Sequence, residues 1–218
     1  MPRGPHRRTD ETPLQGTAYL HRIPDLPEDW RPERVFPVAR PLEVEVGSGK
    51  GLFISNACVK NPNHNFLGIE MVRKYTVICA LKLQKLGVDN GRMLEGDGLL
   101  LFHTRINDNS LEAVHVYFPD PWWKKRHRKR RVLNESFLRD VQRTLRPGGS
   151  LHVWTDVEEY FESTVQLIAE VTDLEGPLPV PEKQPEHDLD YRTHFERRTR
   201  LAAAPVYRGE WRKKGGAS

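Results

Sequence analysis

The most constraining feature of the chain is a glycine-rich loop set where a strand should give way to a helix. The alternating run Leu42 to Val46 leads into Glu45-Val46-Gly47-Ser48-Gly49-Lys50-Gly51, and Leu52, Phe53 and Ile54 follow as the start of an apolar helical face. Glycines at such a handover let the backbone approach a ligand closely. Two nucleotide loops look similar and are excluded by spacing. A phosphate-binding P-loop needs glycine at the place of Val44 and a hydroxyl residue at the place of Gly51. A dinucleotide fingerprint needs its third glycine where Leu52 stands. The observed G-x-G-x-G, with an acid two residues ahead of it, suits a nucleoside ligand without a pyrophosphate.

From Pro41 onward short apolar runs alternate with amphipathic stretches, the pattern of βαβ units and a mostly parallel sheet with helices on both faces. Strands are expected at 42–46, 66–70, 92–96, 113–118 and 151–154. One helix is expected over 73–86, with Val77, Ile78, Leu81 and Leu83 inward and Gly87 as its stop. Another is expected over 135–145, with Asn134 as N-cap and Pro147-Gly148-Gly149 ending it. Residues 175–190 hold four prolines and five acids and are expected to be a loop. With 218 residues, 37% hydrophobic, the chain has room for one domain of this kind. We place it at 41–212, after a flexible or loosely docked basic arm over 1–40 containing Arg3, Arg7 and Arg8, and before a disordered tail at 213–218.

No apolar run approaches the roughly 20 residues of a membrane span, and the basic N-terminal residues lead into no apolar signal region. A cytoplasmic location and a monomer are expected. Cys58 and Cys79 lack CxxC or histidine companions and read as buried thiols, so no metal is expected.

An acid stands at the end of each successive strand. Glu70 is placed for the two hydroxyls of a ribose, Asp97 for an adenine amino group, and Glu45 either for a ligand ammonium or for orienting the loop. Any one of them could be an ordinary solvated acid, but three at successive strand ends point to a nucleoside cofactor. Together with Leu145-Arg146-Pro147-Gly148-Gly149 before the last strand, the arrangement resembles the Rossmann-like fold of class I methyltransferases, which implies S-adenosyl-L-methionine as cofactor.

The fourth strand runs into Pro119-Asp120-Pro121-Trp122-Trp123 and then seven Lys or Arg within residues 124–131. The flanking prolines fix the direction of the Asp120 carboxylate. The tryptophans offer faces for a splayed base, at about 1–3 kcal/mol per stacked base, and the cations offer contacts to phosphates. A basic run alone is most often a solvated face and a tryptophan pair alone most often core. Their combination at a catalytic sheet edge points to nucleic acid, although the net charge is only +4.

These residues are similar to the signature of the bacterial tRNA (guanine-N7)-methyltransferases of the TrmB type, a PDPW motif followed by Lys, Arg and His; the likeness spans about residues 34–212. It implies methylation of the variable-loop guanosine at tRNA position 46, with tRNA as partner. It places Glu45, Gly47, Gly49, Gly51, Glu70, Asp97 and Asp120 around the cofactor and makes Asp120 the catalytic candidate. Lys124 and Asp156 become substrate contacts, and Arg126, His127, Arg128, Lys129, Arg130 and Arg131 face RNA. The family's T-x-F-E motif appears as Thr193, His194, Phe195 and Glu196, again contacting substrate. Trp123 departs from the pattern, which has a smaller residue or proline there. An amino-methyltransferase would carry a second proline at Trp122, and a non-catalytic RNA-binding relative would not need an acid at every strand end.

Overall fold

The computed structural model describes residues 18–181 and 191–215. Eight strands form one sheet: β1 (Leu20–Arg22), β2 (Leu42–Val46), β3 (Asn65–Glu70), β4 (Gly91–Glu95), β5 (Leu111–Tyr117), β6 (Leu145–Thr155), β7 (Glu175–Leu178) and β8 (Tyr207–Arg212). Their spatial order is β1-β4-β3-β2-β5-β6-β8-β7. Pairings are parallel from β1 through β6 and antiparallel at β6–β8 and β8–β7. The order reverses between β2 and β5, so a crevice opens at their C-terminal ends, the place where open α/β sheets bind ligands.

Helices cover both faces. On one side α1 (Leu52–Lys60) and α2 (Arg73–Leu86) pack Phe53, Ile54, Ala57, Cys79, Ala80 and Leu83 against Phe66, Met93, Tyr117 and Trp154. On the other, α3 (Gly98–Arg105), α4 (Glu135–Thr144) and α5 (Glu158–Val171) enclose a larger core around Val44, Leu67, Val114, Leu151 and Trp211. The α/β, mostly parallel class expected from the sequence is therefore the observed one.

Two glycines allow the first helix to close on α2 and on the sheet. Gly51 caps α1 at φ +70°, and a Cβ there would lie 2.0 Å from Cys79 Sγ. Gly68 lies under the same turn, where a Cβ would meet Ser48 Oγ at 2.6 Å and Met93 Sδ at 2.6 Å.

Several expectations need correction. Residues 18–40 are docked: β1 pairs with β4, and Trp30 and Phe36 enter the core, because one-turn 3-10 segments at Ile23–Asp25 and Pro32–Val35 accommodate the prolines. Residues 1–17 of the expected arm lie outside the described residues. In α2 the buried stripe is Thr76, Cys79, Ala80 and Leu83, while Ile78 and Leu81 are exposed, since small side chains are what let the helix sit close to the sheet. The α4 helix ends at Thr144, before Pro147-Gly148-Gly149. Those residues sit inside β6 and absorb a register shift against β5, where Leu111 pairs with Leu145 but Ala113 with Ser150. Part of the expected 175–190 loop is β7, held to the antiparallel strand β8; residues 182–190 lie outside the described residues. Lys213 continues the ladder through backbone bonds with Gly148 and Gly149 instead of starting a loose tail, and residues 216–218 lie outside the described residues.

Candidate active site

At the β2–β5 crevice the glycine loop curls back on β3. The N–H groups of Gly47 and Ser48 both donate to the Ile69 carbonyl, at 2.8 and 3.1 Å, and Gly51 N–H donates to Ser48 O at 2.9 Å. Glu70 locks the turn from its far side. Its Oε2 accepts from Gly49 N at 2.9 Å and its Oε1 from Val72 N at 2.8 Å, and each oxygen keeps a second lone pair that a ligand hydroxyl could reach. Asp97 is the N-cap of α3, its Oδ1 accepting from Leu99 N at 2.9 Å and Leu100 N at 3.4 Å. Two of the strand-end acids thus shape the loops that border the site.

Glu45 differs from both. It is 4% exposed, and among the described residues its Oε2 has no hydrogen-bond partner. Burial pushes its carboxyl up to about 8; a hydrogen bond from Ser48 opposes this, and the nearby Glu70 charge adds to it. Glu45 lines a cavity of about 510 Å³ together with Gly47, Gly49 and Lys50 of the loop, Phe53 of α1, and Tyr117 and Phe118 at the end of β5. A buried carboxylate with one unsatisfied oxygen costs free energy until a donor meets it. The ammonium of S-adenosylmethionine would be such a donor to this acceptor oxygen, so the residues present fit the cofactor expected from the sequence.

The outer wall comes from α6 (His194–Leu201), which contributes Phe195, Arg197 and Arg198, with Thr193 just before it. Phe195 is 52% exposed, lies parallel to Phe118 with ring centroids 6.2 Å apart, and carries the Arg198 guanidinium on its face at 4.4 Å. The T-x-F-E segment has an evident folding role. Thr193 Oγ1 accepts from Glu196 N at 3.0 Å, and Glu196 Oε2 accepts from Arg192 N at 2.6 Å, a capping box closed one residue early. Glu196 is 2% exposed and also pairs with Arg200 at 3.3 Å, so the motif member expected at the substrate is occupied within its own helix.

The basic segment leaves β5 through two left-handed residues, Phe118 at φ +50° and Trp122 at φ +43°, and then forms a 3-10 turn over Lys125–Arg130. Its two tryptophans are not equivalent. Trp122 is packed inside the turn, with Arg130 over its ring at 5.1 Å and His127 edge-on at 5.8 Å, while Trp123 is 62% exposed. Arg131 is an inward clamp, donating to Pro121 O at 2.8 Å and lying 4.5 Å over the Tyr160 ring. Lys124, Arg126, Lys129 and Arg130 are exposed. The side chains of Arg128 and His194 lie outside the described ones. Asp120 and Asp156 are both exposed, beyond the C-terminal ends of the paired strands β5 and β6, and neither is part of the cavity wall. A smaller cleft of about 310 Å³ lies between the start of α4 and α5 and shares only Arg131 with the candidate residues.

Sequence reasoning did not single out Ser48, Tyr75, Arg192, Arg197 or Arg198, which line or brace the cavity. Their signal is weak: Tyr75 and the arginines sit on helix turns or loops where such residues are ordinarily solvated.

A family model described as "Putative methyltransferase" matches residues 39–209. The tRNA (guanine-N(7)-)-methyltransferase of Rhodopirellula baltica is 49% identical over 98% of this chain and 81% of its own. Those of Alcanivorax borkumensis and Listeria monocytogenes are 37% and 32% identical, over 77% and 93% of this chain and 70% and 92% of theirs. The chain belongs to the tRNA (guanine-N7)-methyltransferase family. Solved structures at lower identity share the fold of this family member. The 16S rRNA methyltransferase KamB superposes with a TM-score of 0.58 at 17% identity, over 80% of this chain and 88% of that one. The aminoglycoside resistance methyltransferase NpmB1 gives 0.52 at 18%, over 81% and 89%.

Proposed function

We propose that the protein transfers the methyl group of S-adenosylmethionine to N7 of the variable-loop guanosine at position 46 of tRNA. The observation that carries this reading is the juxtaposition at one sheet edge of a buried Glu45 carboxyl, one oxygen of which has no partner among the described residues, beside a cavity, and an exposed rim of Trp123, Lys124, Arg126, Lys129 and Arg130. The first suits a cationic nucleoside donor and the second a polyanion with an unstacked base.

Glu45 holds the donor's ammonium, the Gly47–Gly49 turn admits its backbone, and Glu70 and Asp97 face its ribose and adenine. S-adenosylmethionine, when bound, supplies an electrophilic sulfonium methyl. Guanine N7 has an in-plane lone pair and carries no proton, so the chain need not remove one before transfer. Its work is alignment, which can account for about 7–11 kcal/mol of barrier at best, together with electrostatic support of the charge that builds on the purine. We assign that support to Asp120 or Asp156. A carboxylate accepting from guanine N1–H and N2–H binds more strongly as the ring becomes cationic, so it favours the transition state over the ground state. Lys124, Arg126, Lys129 and Arg130 hold the flanking phosphates, and Trp123, with its open face, is the stacking residue of the pair.

Transfer of labelled methyl groups to a tRNA transcript tests this function. Labelling is expected with the natural transcript and is expected to vanish when the variable-loop guanosine is replaced by adenosine. Equal labelling of both would overturn the site assignment. The Asp120→Asn protein at saturating tRNA should turn over at least tenfold more slowly, and near-normal turnover would remove Asp120 from the chemistry.

A further inference from the structure

Behind the cavity, a line of polar side chains is buried in the layer where an α/β sheet ordinarily packs apolar ones. Glu43, on β2, places Oε1 2.6 Å from His64 Nδ1 and Oε2 2.7 Å from His115 Nε2. His115 Nδ1 lies 2.8 Å from Tyr117 Oη, and that oxygen accepts from Arg192 Nη1 at 3.0 Å. The two ends dictate the direction of the whole line. Arg192 can only donate, so the single phenolic proton of Tyr117 points to His115 Nδ1. That nitrogen is therefore the acceptor, the ring proton sits on Nε2, and Glu43 receives it. The protonation states agree. Burial holds the His115 imidazole below its ordinary range even beside Glu43. For Glu43, burial pushes the carboxyl up, but the contacts from His115 and His64 outweigh it and leave it lower than usual. A neutral ring thus bridges a carboxylate and a phenol, with the neutral His152 ring stacked on it at 4.8 Å.

The line ends at Arg192, just ahead of the N-cap of α6. The Arg192 guanidinium stands over the rings of Trp154, Phe53 and Tyr117 at 4.9, 5.8 and 5.8 Å, and its backbone N–H closes the cap on Glu196. With eight residues, α6 is too short to hold itself in water and needs such an anchor. It also carries Phe195, Arg197 and Arg198, the wall of the cavity on the side away from the glycine loop. A satisfied buried polar line gains little stability over an apolar core, but it is directional, and it holds its end group in one orientation.

We propose that Glu43, His115, Tyr117 and Arg192 form a positioning line that sets where α6 stands over the site, and so governs engagement of tRNA more than binding of the methyl donor. This rests on tRNA being the substrate. Tyr117→Phe removes the central hydroxyl and keeps the ring; Arg192→Lys keeps the charge and loses the planar fork. Each should raise the KM for tRNA about tenfold, the order expected when one buried hydrogen-bond partner is left unpaired. For Arg192→Lys, whose side chain is not part of the cavity lining, the Kd for S-adenosylhomocysteine, measured by calorimetry, should stay within about twofold. So should the kcat of Arg192→Lys at saturating tRNA, since tRNA once seated is aligned by groups outside this line. Since both changes cut the same line, the double variant should be little worse than the worse single variant. An unchanged tRNA KM in folded Arg192→Lys, additive effects in the double variant, or an S-adenosylhomocysteine Kd that rises in step with the tRNA KM would each overturn the proposal. If Tyr117→Phe does not fold, Arg192→Lys, outside the sheet, decides alone. Failure of the unsubstituted protein to methylate tRNA would instead refute the parent reading, so the two failures are distinguishable.

Discussion

Glu45 makes binding of the methyl donor a proton-linked event. With burial holding its carboxyl at about 8, only about one molecule in ten carries an ionised Glu45 at pH 7, and about one in a hundred at pH 6. A ligand ammonium pairs with the ionised form alone and pulls the pKa down, so binding must release the proton. Because the free-protein pKa is raised and the complex lowers it, affinity rises with pH. The expected gain from pH 6 to 7 is nearly tenfold, about 1.3 kcal/mol, levelling off above pH 8 once Glu45 is ionised in the free protein. Calorimetric titration with S-adenosylhomocysteine in two buffers of different ionisation enthalpy reads both quantities. Proton release at pH 7 should be close to one per site. Glu45→Gln should abolish the release and flatten the profile. A flat profile in the unsubstituted protein, or no release, would refute the ammonium role and leave Glu45 as a loop-orienting residue.

Three further outcomes follow from the geometry. Gly51→Ala forces a Cβ against Cys79 Sγ at 2.0 Å from a left-handed backbone, and should cost about 2–4 kcal/mol, lowering the melting temperature by about 5–15 °C; an unchanged melting curve would contradict the close approach of α1 and α2. Replacing Arg126 and Lys129 with Gln should reduce the slope of log affinity for tRNA against log salt by about 0.7–0.9 for each phosphate no longer neutralised, and an unaltered slope would remove these residues from the RNA surface. Thr193→Ala should cost α6 about 1 kcal/mol of capping and appear as a raised tRNA KM with little change in global melting; a tRNA KM equal to that of the unsubstituted protein would show that the cap does not control this wall.

The glycine loop and the strands flanking it were legible because their signals are local. Leu42 to Val46 alternates, Gly87 ends α2 at φ +65°, and the Asn134 side chain accepts from Phe137 N as an N-cap should. What was not legible depends on partners far along the chain. Trp30 and Phe36 sit between prolines that read as breakers, and only the surface they cover shows that they are core. Tyr207–Arg212 has too many polar residues to read as a strand until β6 and β7 flank it. Ile78 and Leu81 fit a helical period, but the face that meets the sheet needs small residues. At the site, the strand-end acids were visible as candidates, yet their differing roles were not: Glu70 and Asp97 bond to backbone, and Glu45 alone is left unsatisfied. Glu43 and His115 read as polar members of strands, and nothing local says that they bond to each other across a pair of neighbours in the sheet.

The most direct test of the central claim is the identity of the product. tRNA incubated with the protein and S-adenosylmethionine, digested to nucleosides and resolved by chromatography with mass detection, should contain 7-methylguanosine as its one new nucleoside, mapping to position 46 of the variable loop. A methyl group on N1 or N2 of guanine, on another base, or at another position of the tRNA would contradict the account.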